Sequence, residues 1–479
     1  MAKSIKKNYF YNLSYQIFSI LAPLLTAPYI ARVFGPERIG IHAYVTTVVS
    51  FFVMFGTLSI NLFASRELAY YKSDILKRSK LFWDIVTLNA LNLAITTIIF
   101  YIFIFLEEPQ YTKYFLFQSI IFLSTTFDIT WLFSSQEEFG KVALRNFLGR
   151  ALSIALIFTL IKTPDDLGKY FLVNTITPLI INISMWSQIK KYITFVKPNL
   201  KDAYKLLPRI IMLFLPTIAI SIYSQLDKLM LGLMSTNEQL GYYDYSQKLV
   251  RMALAVVSSI TPIMMVRMSS EFKNNDLSSV DMYFQKSFKF ATFFSFYIFS
   301  MIISISPEFI PWFFGADFVD AIILIQIISP IIVAIAYGTT AGHQFLLSIG
   351  QENKLTLTLF TGAIINFTMN LILIPKFQAK GASIASVFAE VFITIMLYFF
   401  VSRYIKIKKL LKTNWIYLIF SLLVIIIVRF IGHRMGISVV TNIVQFLIGS
   451  LVYLSLAYFF DIQIRKFLLT YIKNRKANH

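Results

Sequence analysis

Residues 81–106 read LFWDIVTLNALNLAITTIIFYIFIFL, and no charged side chain interrupts the run between Asp84 and Glu107. An apolar helix of about 20 residues, rising 1.5 Å per residue, matches a hydrocarbon core roughly 30 Å thick. Lys77, Arg78 and Lys80 precede the run, and Glu107, Glu108 and Pro109 close it. Runs of the same kind recur along the chain, each followed by a short basic or turn-forming gap. They predict fourteen helices near 8–34, 39–64, 81–106, 113–133, 142–162, 167–189, 210–232, 241–266, 288–314, 320–348, 355–375, 381–402, 413–431 and 439–460. The first follows Lys3, Lys6 and Lys7 in the manner of a signal peptide. Its apolar stretch nevertheless runs for a full bilayer width and carries no small-residue cleavage site, which predicts a retained helix.

Composition supports an all-α integral membrane protein. Of 479 residues, 57% are hydrophobic and only 14% charged, with a mean hydropathy of +0.68. Soluble domains carry about 25% charged residues. The absence of cysteine excludes disulfides, thiolate nucleophiles and Cys-ligated metals. The four histidines, His42, His343, His433 and His479, are too scattered to form a ligand cluster, so no metal site is expected. The net charge of +20 does not indicate nucleic acid, because no separate soluble domain exists to present a basic face.

The distribution of that charge sets the topology. With the N-terminus in the cytoplasm, 32 of the 44 Lys and Arg residues fall on cytoplasmic segments, 9 on outer segments and 3 (Lys228, Lys248, Arg251) within spans. The positive-inside rule therefore places both termini in the cytoplasm. Anionic inner-leaflet lipid accounts for most of the excess. The longer loops, 65–80, 190–209 and 267–287, are all cytoplasmic. A membrane polysaccharide polymerase working on the outer face would need a sizeable outer loop, and none is present. Asp165 and Asp166, after Pro164, read as a turn and helix N-cap rather than a catalytic dyad.

A faint internal repeat appears at an offset of 201 residues. Gly40-Ile-His-Ala-Tyr44 recurs as Gly241-Tyr-Tyr-Asp-Tyr245, and Arg66 falls on Arg267. Helices 1–6 and 7–12 then share one orientation, as parallel repeats about an axis along the membrane normal require. The expected organisation is an N-terminal lobe over 1–200, a C-terminal lobe over 201–410, and two further helices with a basic cytoplasmic tail over 411–479. Two six-helix lobes in a pseudo-twofold arrangement would enclose a central cavity. Pro23 and Pro28 interrupt the first helix and Pro216 its repeat mate, making these three the candidate hinges, with a static packing kink as the alternative for each.

Ionisable groups at membrane depth face a bundle interior or a wet cavity. Asp244, Lys248 and Arg251 are spaced four and three apart and stack on one helix face. Arg251 sits roughly 15 Å from Gly241, near the midplane. Such a stripe suits an anionic cargo. For Lys248 a second reading stands, neutralisation by Asp227, which lies beside Lys228 at comparable depth. Arg66 and Arg267 at the inner mouth, with Arg145 and Arg150, would draw a phosphate from the headgroup region, or serve as interfacial anchors. Glu390, about 13 Å into its helix, joins Asp84, Asp128, Asp227 and Asp244 as candidates for ion coupling. Each could instead be a packing carboxyl, and Asn366 and Asn370 lie within reach of Glu390.

Several stretches resemble the polysaccharide flippase branch (Wzx-like) of the multidrug/oligosaccharidyl-lipid/polysaccharide exporter superfamily. They are Pro28-Tyr-Ile-Ala-Arg32-Val-Phe-Gly35-Pro-Glu-Arg-Ile-Gly40, Asp128-Ile-Thr-Trp131 with Glu137, Arg145 and Asn146, and Asp227-Lys228-Leu-Met-Leu-Gly232 with Gly241-Tyr-Tyr. Asn366, Asn370, Ile374-Pro375, Gly381-Ala382 and Glu390 complete the set. Two departures stand out. Ser135 and Gln378 occupy positions where the family often has glycine, which would reshape the local turns.

The resemblance implies a flippase, not an enzyme. Its cargo would be an undecaprenyl-diphosphate-linked oligosaccharide repeat, moved from the inner to the outer leaflet of a bacterial cytoplasmic membrane by alternating access. That transport serves capsule, O-antigen or exopolysaccharide assembly. No cofactor is expected; proton or sodium coupling is the role the buried acids leave open, with packing as the alternative. Membrane lipid, a polysaccharide polymerase and chain-length proteins are the implied partners. The lipid II flippases and drug/cation antiporters of the same superfamily are the neighbouring alternatives. Helices 13 and 14 and the cationic stripe argue against the antiporter.

Overall fold

The structure, a computed structural model, describes residues 5–461 and 465. The rest of the basic tail and Lys3 lie outside the described residues. Among the described residues every regular element is a helix. In chain order these are α1 (Ile5–Thr57), α2 (Ile60–Tyr70), α3 (Ile75–Ile104), α4 (Pro109–Gln118), α5 (Ile120–Thr126), α6 (Thr130–Ser135), α7 (Phe139–Leu160), α8 (Leu167–Trp186), α9 (Leu200–Tyr204) and α10 (Leu207–Met234). Then come α11 (Asn237–Ser258), α12 (Thr261–Lys273), α13 (Leu277–Phe313), α14 (Ala321–Ile328), α15 (Ile331–Thr339), α16 (Glu352–Val401), α17 (Ile407–Asn414), α18 (Ile416–Met435) and α19 (Val439–Phe460). Hydrocarbon offers backbone groups no partner, so a spanning segment must satisfy them internally, as a helix does. Among the described residues ten helical stretches are long and apolar enough to cross a membrane. The architecture is that of a multi-pass, all-α membrane protein.

Two of the longest helices each hold a residue of non-helical backbone at which two helices meet, Gly35 (φ 67°) in α1 and Gln378 (φ 51°, ψ −129°) in α16. These breaks fall in the predicted gaps. Other predicted helices are interrupted where continuity was expected. Positive φ at Leu58 and Ser59 separates α1 from α2. Pro262 and Pro330, which lack an amide proton, lie at the breaks before α12 and α15. The Ser259 hydroxyl adds to the first of these by donating to the Val256 carbonyl at 2.7 Å. A π-helical turn, Thr340–Leu346, continues α15.

By packing, the chain divides into two compact units. Unit 1 comprises Met1–Gly232 with Thr236–Gly241, and unit 2 comprises Leu233–Ser235 with Tyr242–His479. Packing thus joins most of α10 to the first unit, whereas the sequence repeat starts its second half there. In unit 1, Phe63, Leu68, Phe82, Leu88, Trp131, Leu132 and Phe133 bury one core among α2, α3 and α6. Asp166 caps the entry to α8: its carboxylate accepts from the Lys162 and Thr163 amides, both at 2.8 Å, and meets Lys169 at 2.6 Å. The Lys169 contact and those amides hold its carboxyl well below the usual range. The capping role read from the sequence is what the structure shows.

In unit 2, Tyr417, Phe420, Val424 and Tyr453 pack α18 and α19 onto α13. Polar ties bind the same three helices at two levels. Arg429 donates to both oxygens of Glu308 at 2.8 and 2.9 Å, and Gln445 donates to Glu308 at 2.9 Å. Lys289 and Tyr417 each meet Asp461 at 2.5 Å. Gly432 is required beside the first cluster, because a Cβ there would lie 2.5 Å from the Glu308 carboxyl carbon.

Gln378 holds a backbone conformation that glycine adopts freely and other residues at a cost of roughly 1–3 kcal/mol. Gln378→Gly relieves that strain but loosens the unfolded chain. A net gain of about 1 kcal/mol is expected, read as a higher melting temperature in detergent; a fall would mean that the glutamine side chain outweighs the strain.

Candidate functional site

The cationic stripe on α11 resolves into a pair and a projecting arginine. Asp244 is buried, and its carboxylate meets the Lys248 ammonium at 2.6 Å, one helical turn on. The same ammonium lies 4.6 Å from the Tyr245 ring centre. Lys248 therefore draws its neutralising charge from Asp244, where the sequence had offered Asp227. Arg251 is exposed and, among the described residues, carries no hydrogen bond or ion pair. On α10, Asp227 is buried and Lys228 half-buried.

Two candidate coupling acids do local structural work. Asp84, buried near the start of α3, accepts from the Asn199 amide at 2.9 Å and so fastens the loop before α9. Asp128 accepts from the Thr130 amide at 2.9 Å and hydroxyl at 2.7 Å, capping α6, while its carbonyl takes the Trp131 indole proton. Glu390 is half-buried in the second half of α16, one turn after Ser386. Ser386 shares a hydrogen bond of 2.9 Å with the Tyr243 hydroxyl, which also accepts from Gln247 at 2.8 Å. Asn370 donates to Asn366 at 3.1 Å, both buried in the first half of α16. Unit 2 thus carries polar clusters on α11 and on both halves of α16.

The peripheral arginines have local surroundings of their own. Arg66 is exposed and donates to Tyr70 at 3.2 Å; Arg150 is exposed on α7; Arg267 lies 5.8 Å from the Tyr283 ring. Sequence reasoning missed Arg78, a buried guanidinium that donates to the carbonyls of Lys72 and Tyr192 and to Gln136. It holds three loops of unit 1 together through neutral oxygens alone, a pattern without a spacing signature in the sequence.

Backbone dihedrals remain helical at Pro23 and Pro28, and the one non-helical residue of α1 is Gly35. Pro216 lies in α10 with its side chain outside the described residues. The closest backbone approach lies at the repeated glycines. A Cβ on Gly40 would fall 1.6 Å from the Asn237 carbonyl oxygen, and one on Gly241 would fall 1.9 Å from that of Pro36. Gly40 and Gly241 are 201 residues apart, as are Pro36 and Asn237. The contact is therefore reciprocal under the sequence repeat, as a local two-fold relation between these segments demands. Tyr44 packs on Gly232, and its hydroxyl donates to Glu107 at 2.7 Å; Tyr111 hydrogen-bonds Asn237.

A family profile described as polysaccharide biosynthesis protein matches residues 5–267. The chain belongs to that family. The "Putative O-antigen transporter" of Escherichia coli K12 is 24% identical over 405 residues, covering 83% of this chain and 97% of that protein. The protein of the same name from Shigella dysenteriae is 20% identical, covering 79% and 95%. Among solved structures, "Lipid II flippase MurJ, inward closed conformation" superposes with a TM-score of 0.80 at 17% identity, over 95% of this chain and 99% of that one. An inward-facing multidrug resistance MATE family transporter of the MOP superfamily gives 0.64 at 11%, over 84% and 96%. The fold is the one these solved structures share, and the family is the one the profile describes as polysaccharide biosynthesis protein.

A methyl at Gly40 or at Gly241 must push the same two segments apart. Each Gly→Ala variant is expected to lose about 1–3 kcal/mol. Because either methyl forces the same separation, the double variant should lose clearly less than the sum. Thermal unfolding of the three variants in detergent measures this, and strict additivity would contradict a shared contact.

Proposed function

We propose that this protein is a flippase that carries an undecaprenyl-diphosphate-linked oligosaccharide repeat from the inner to the outer leaflet of the bacterial cytoplasmic membrane. The observation that carries the reading is the match to O-antigen transporters over nearly their whole length. The likeness to a lipid II flippase speaks to fold alone, so the choice of cargo follows the sequence relatives.

The physical task fits the residues. A diphosphate and a polar glycan cannot enter hydrocarbon, while a polyprenyl tail can stay in it. Fourteen crossings with both termini in the cytoplasm give two six-helix lobes, over 1–200 and 201–410, with a cavity between them that opens to one side at a time. Arg251 offers an unneutralised guanidinium at mid-depth, suited to bidentate contact with phosphate. Lys228 and the Asp244-paired Lys248 offer further N–H donors along the path, and Arg66, Arg150 and Arg267 gather the headgroup at the inner mouth.

Gly35 in α1 supplies the bend on which access switches, and Pro23, Pro28 and Pro216, each lacking an amide proton, are the points at which the helices that carry them can yield. Glu390, Asp227 and Asp244 are the acids placed to couple transport to a proton or sodium gradient, since Asp84 and Asp128 are committed to loop and cap. No bond chemistry is required of the protein. A polymerase and chain-length proteins would take up the delivered repeat.

Arg251→Ala is expected to lower surface polysaccharide at least tenfold and to make lipid-linked repeats accumulate on the inner side, with protein abundance unchanged. Normal polymer output from an abundant variant would remove Arg251 from the path. Glu390→Gln is expected to abolish the dependence of vesicle transport on a pH gradient; retention of that dependence would assign Glu390 to packing.

A further inference from the structure

One end of unit 2 gathers four cations on aromatic rings. Arg267 on α12 and Lys286 on α13 lie 5.8 and 5.7 Å from the same ring, that of Tyr283. Lys354, at the start of α16, lies 5.4 Å from the Tyr404 ring and 5.7 Å from Phe400. Arg403, just past the end of α16, lies 5.6 Å from Phe399. Ring contacts join the elements that carry these groups: Phe284 meets Phe345 at 5.2 Å, and Phe345 meets Tyr404 at 5.8 Å. Lys406 and Lys412, flanking and ending α17, are exposed beside them in sequence.

Among the described residues none of Arg267, Lys286, Lys354 and Arg403 forms an ion pair. Glu271 and Glu352, the acids nearest in sequence to Arg267 and Lys354, form no ion pair with them among the described residues, and three other acids are engaged elsewhere. Asp276 caps α13, its carboxyl drawn down to about 2 by the Ser279 hydroxyl and amide and by Ser278. Asp281 accepts from Gln285, and Asp461 is held by Lys289 and Tyr417. In unit 1, by contrast, Lys72, Lys77, Lys80, Lys141 and Lys205 each meet a carboxylate within 4.0 Å. A ring holds a cation in place without cancelling its charge or occupying its outward N–H groups. Four such cations at the ends of spanning helices, on tyrosine and phenylalanine rings, lie where headgroups lie.

We propose that this end of unit 2 is a docking surface for anionic phospholipid headgroups, in which Tyr283, Tyr404, Phe399 and Phe400 hold Lys286, Lys354 and Arg403, with Arg267, against lipid phosphates. Arg267 is shared with the proposed inner mouth, whereas Lys286, Lys354 and Arg403 are not, and the inference stands whether or not the cargo is a lipid-linked sugar.

The test is a titration of the full-length protein in detergent with phosphatidylglycerol, read by lipid binding and by melting temperature. Each cation near an anionic lipid surface contributes about a fivefold factor, so Lys286→Gln, Lys354→Gln and Arg403→Gln combined should weaken binding at least tenfold. The control combines Lys77→Gln, Lys80→Gln and Lys205→Gln in unit 1 and should bind as wild type does. Raising the salt concentration should weaken wild-type binding to phosphatidylglycerol and leave phosphatidylcholine unaffected. Unchanged affinity in the triple variant, or equal loss in the control, overturns the proposal. So does inorganic diphosphate displacing the lipid at matched concentration, which would assign the surface to a soluble anion. If the triple variant fails to accumulate, Lys286→Gln and Arg403→Gln are each read for a loss of about fivefold, and wild-type affinity in both decides against the surface.

Discussion

A charge inside hydrocarbon must be matched or wetted, and the interior of this protein is arranged around that cost. Glu308 is buried in α13, and its carboxylate accepts hydrogen bonds from Arg429 and Gln445 on two other helices. Asp461 takes Lys289 and Tyr417. Asp244 takes Lys248. In each case the acid is buried more deeply than its cation, as expected when a long basic side chain carries its head toward water and a short carboxylate cannot. Removing one member would strand the other, so such clusters fix which helices lie side by side as much as they add stability.

The same economy governs the backbone. Where a helix stops, its last carbonyls and first amides need partners, and short polar side chains supply them. Asp128 satisfies the start of α6, Asp166 the approach to α8, Asp276 the start of α13 and Ser438 the start of α19. Arg78 does the converse, giving guanidinium protons to loop carbonyls that have no helix to join. The acids that looked like coupling sites from their depth in the sequence are, for Asp84 and Asp128, part of this service. Depth alone does not separate a functional acid from a cap.

The parts legible in the sequence were those written in local spacing. Apolar runs located the membrane helices, and the Gly35 and Gln378 breaks fell in predicted gaps. The turn after Pro164 announced the Asp166 cap. The Asp244–Lys248 pair was missed although a four-residue spacing on a helix implies contact, because the reading offered Asp227 as the partner of Lys248. Glu308 and Arg429 could not be paired from sequence, being 121 residues apart with no pattern linking them. Nor could the helix breaks at Leu58 and Ser59 be read, since neither residue is a strong breaker. Gln378 is instructive in the other direction: its departure from a glycine common in the family was visible, but only the backbone shows that the glycine-like conformation stayed while the residue changed.

Glycine and proline divide the work of shaping α1 and α11. Prolines at 23 and 28 leave the dihedrals helical, so each costs a hydrogen bond without redirecting the chain; Gly35 redirects it. The segment from Pro36 to Gly40 is thereby brought into backbone contact with Asn237 and Gly241, and only the lack of a side chain at Gly40 and Gly241 allows the approach. A contact made of backbone on backbone, with little side-chain interdigitation, is tight when closed yet forfeits few specific interactions when parted. The two glycines of the faint repeat at 201 residues thus answer to each other's segments, while the side chains around them answer to different neighbours.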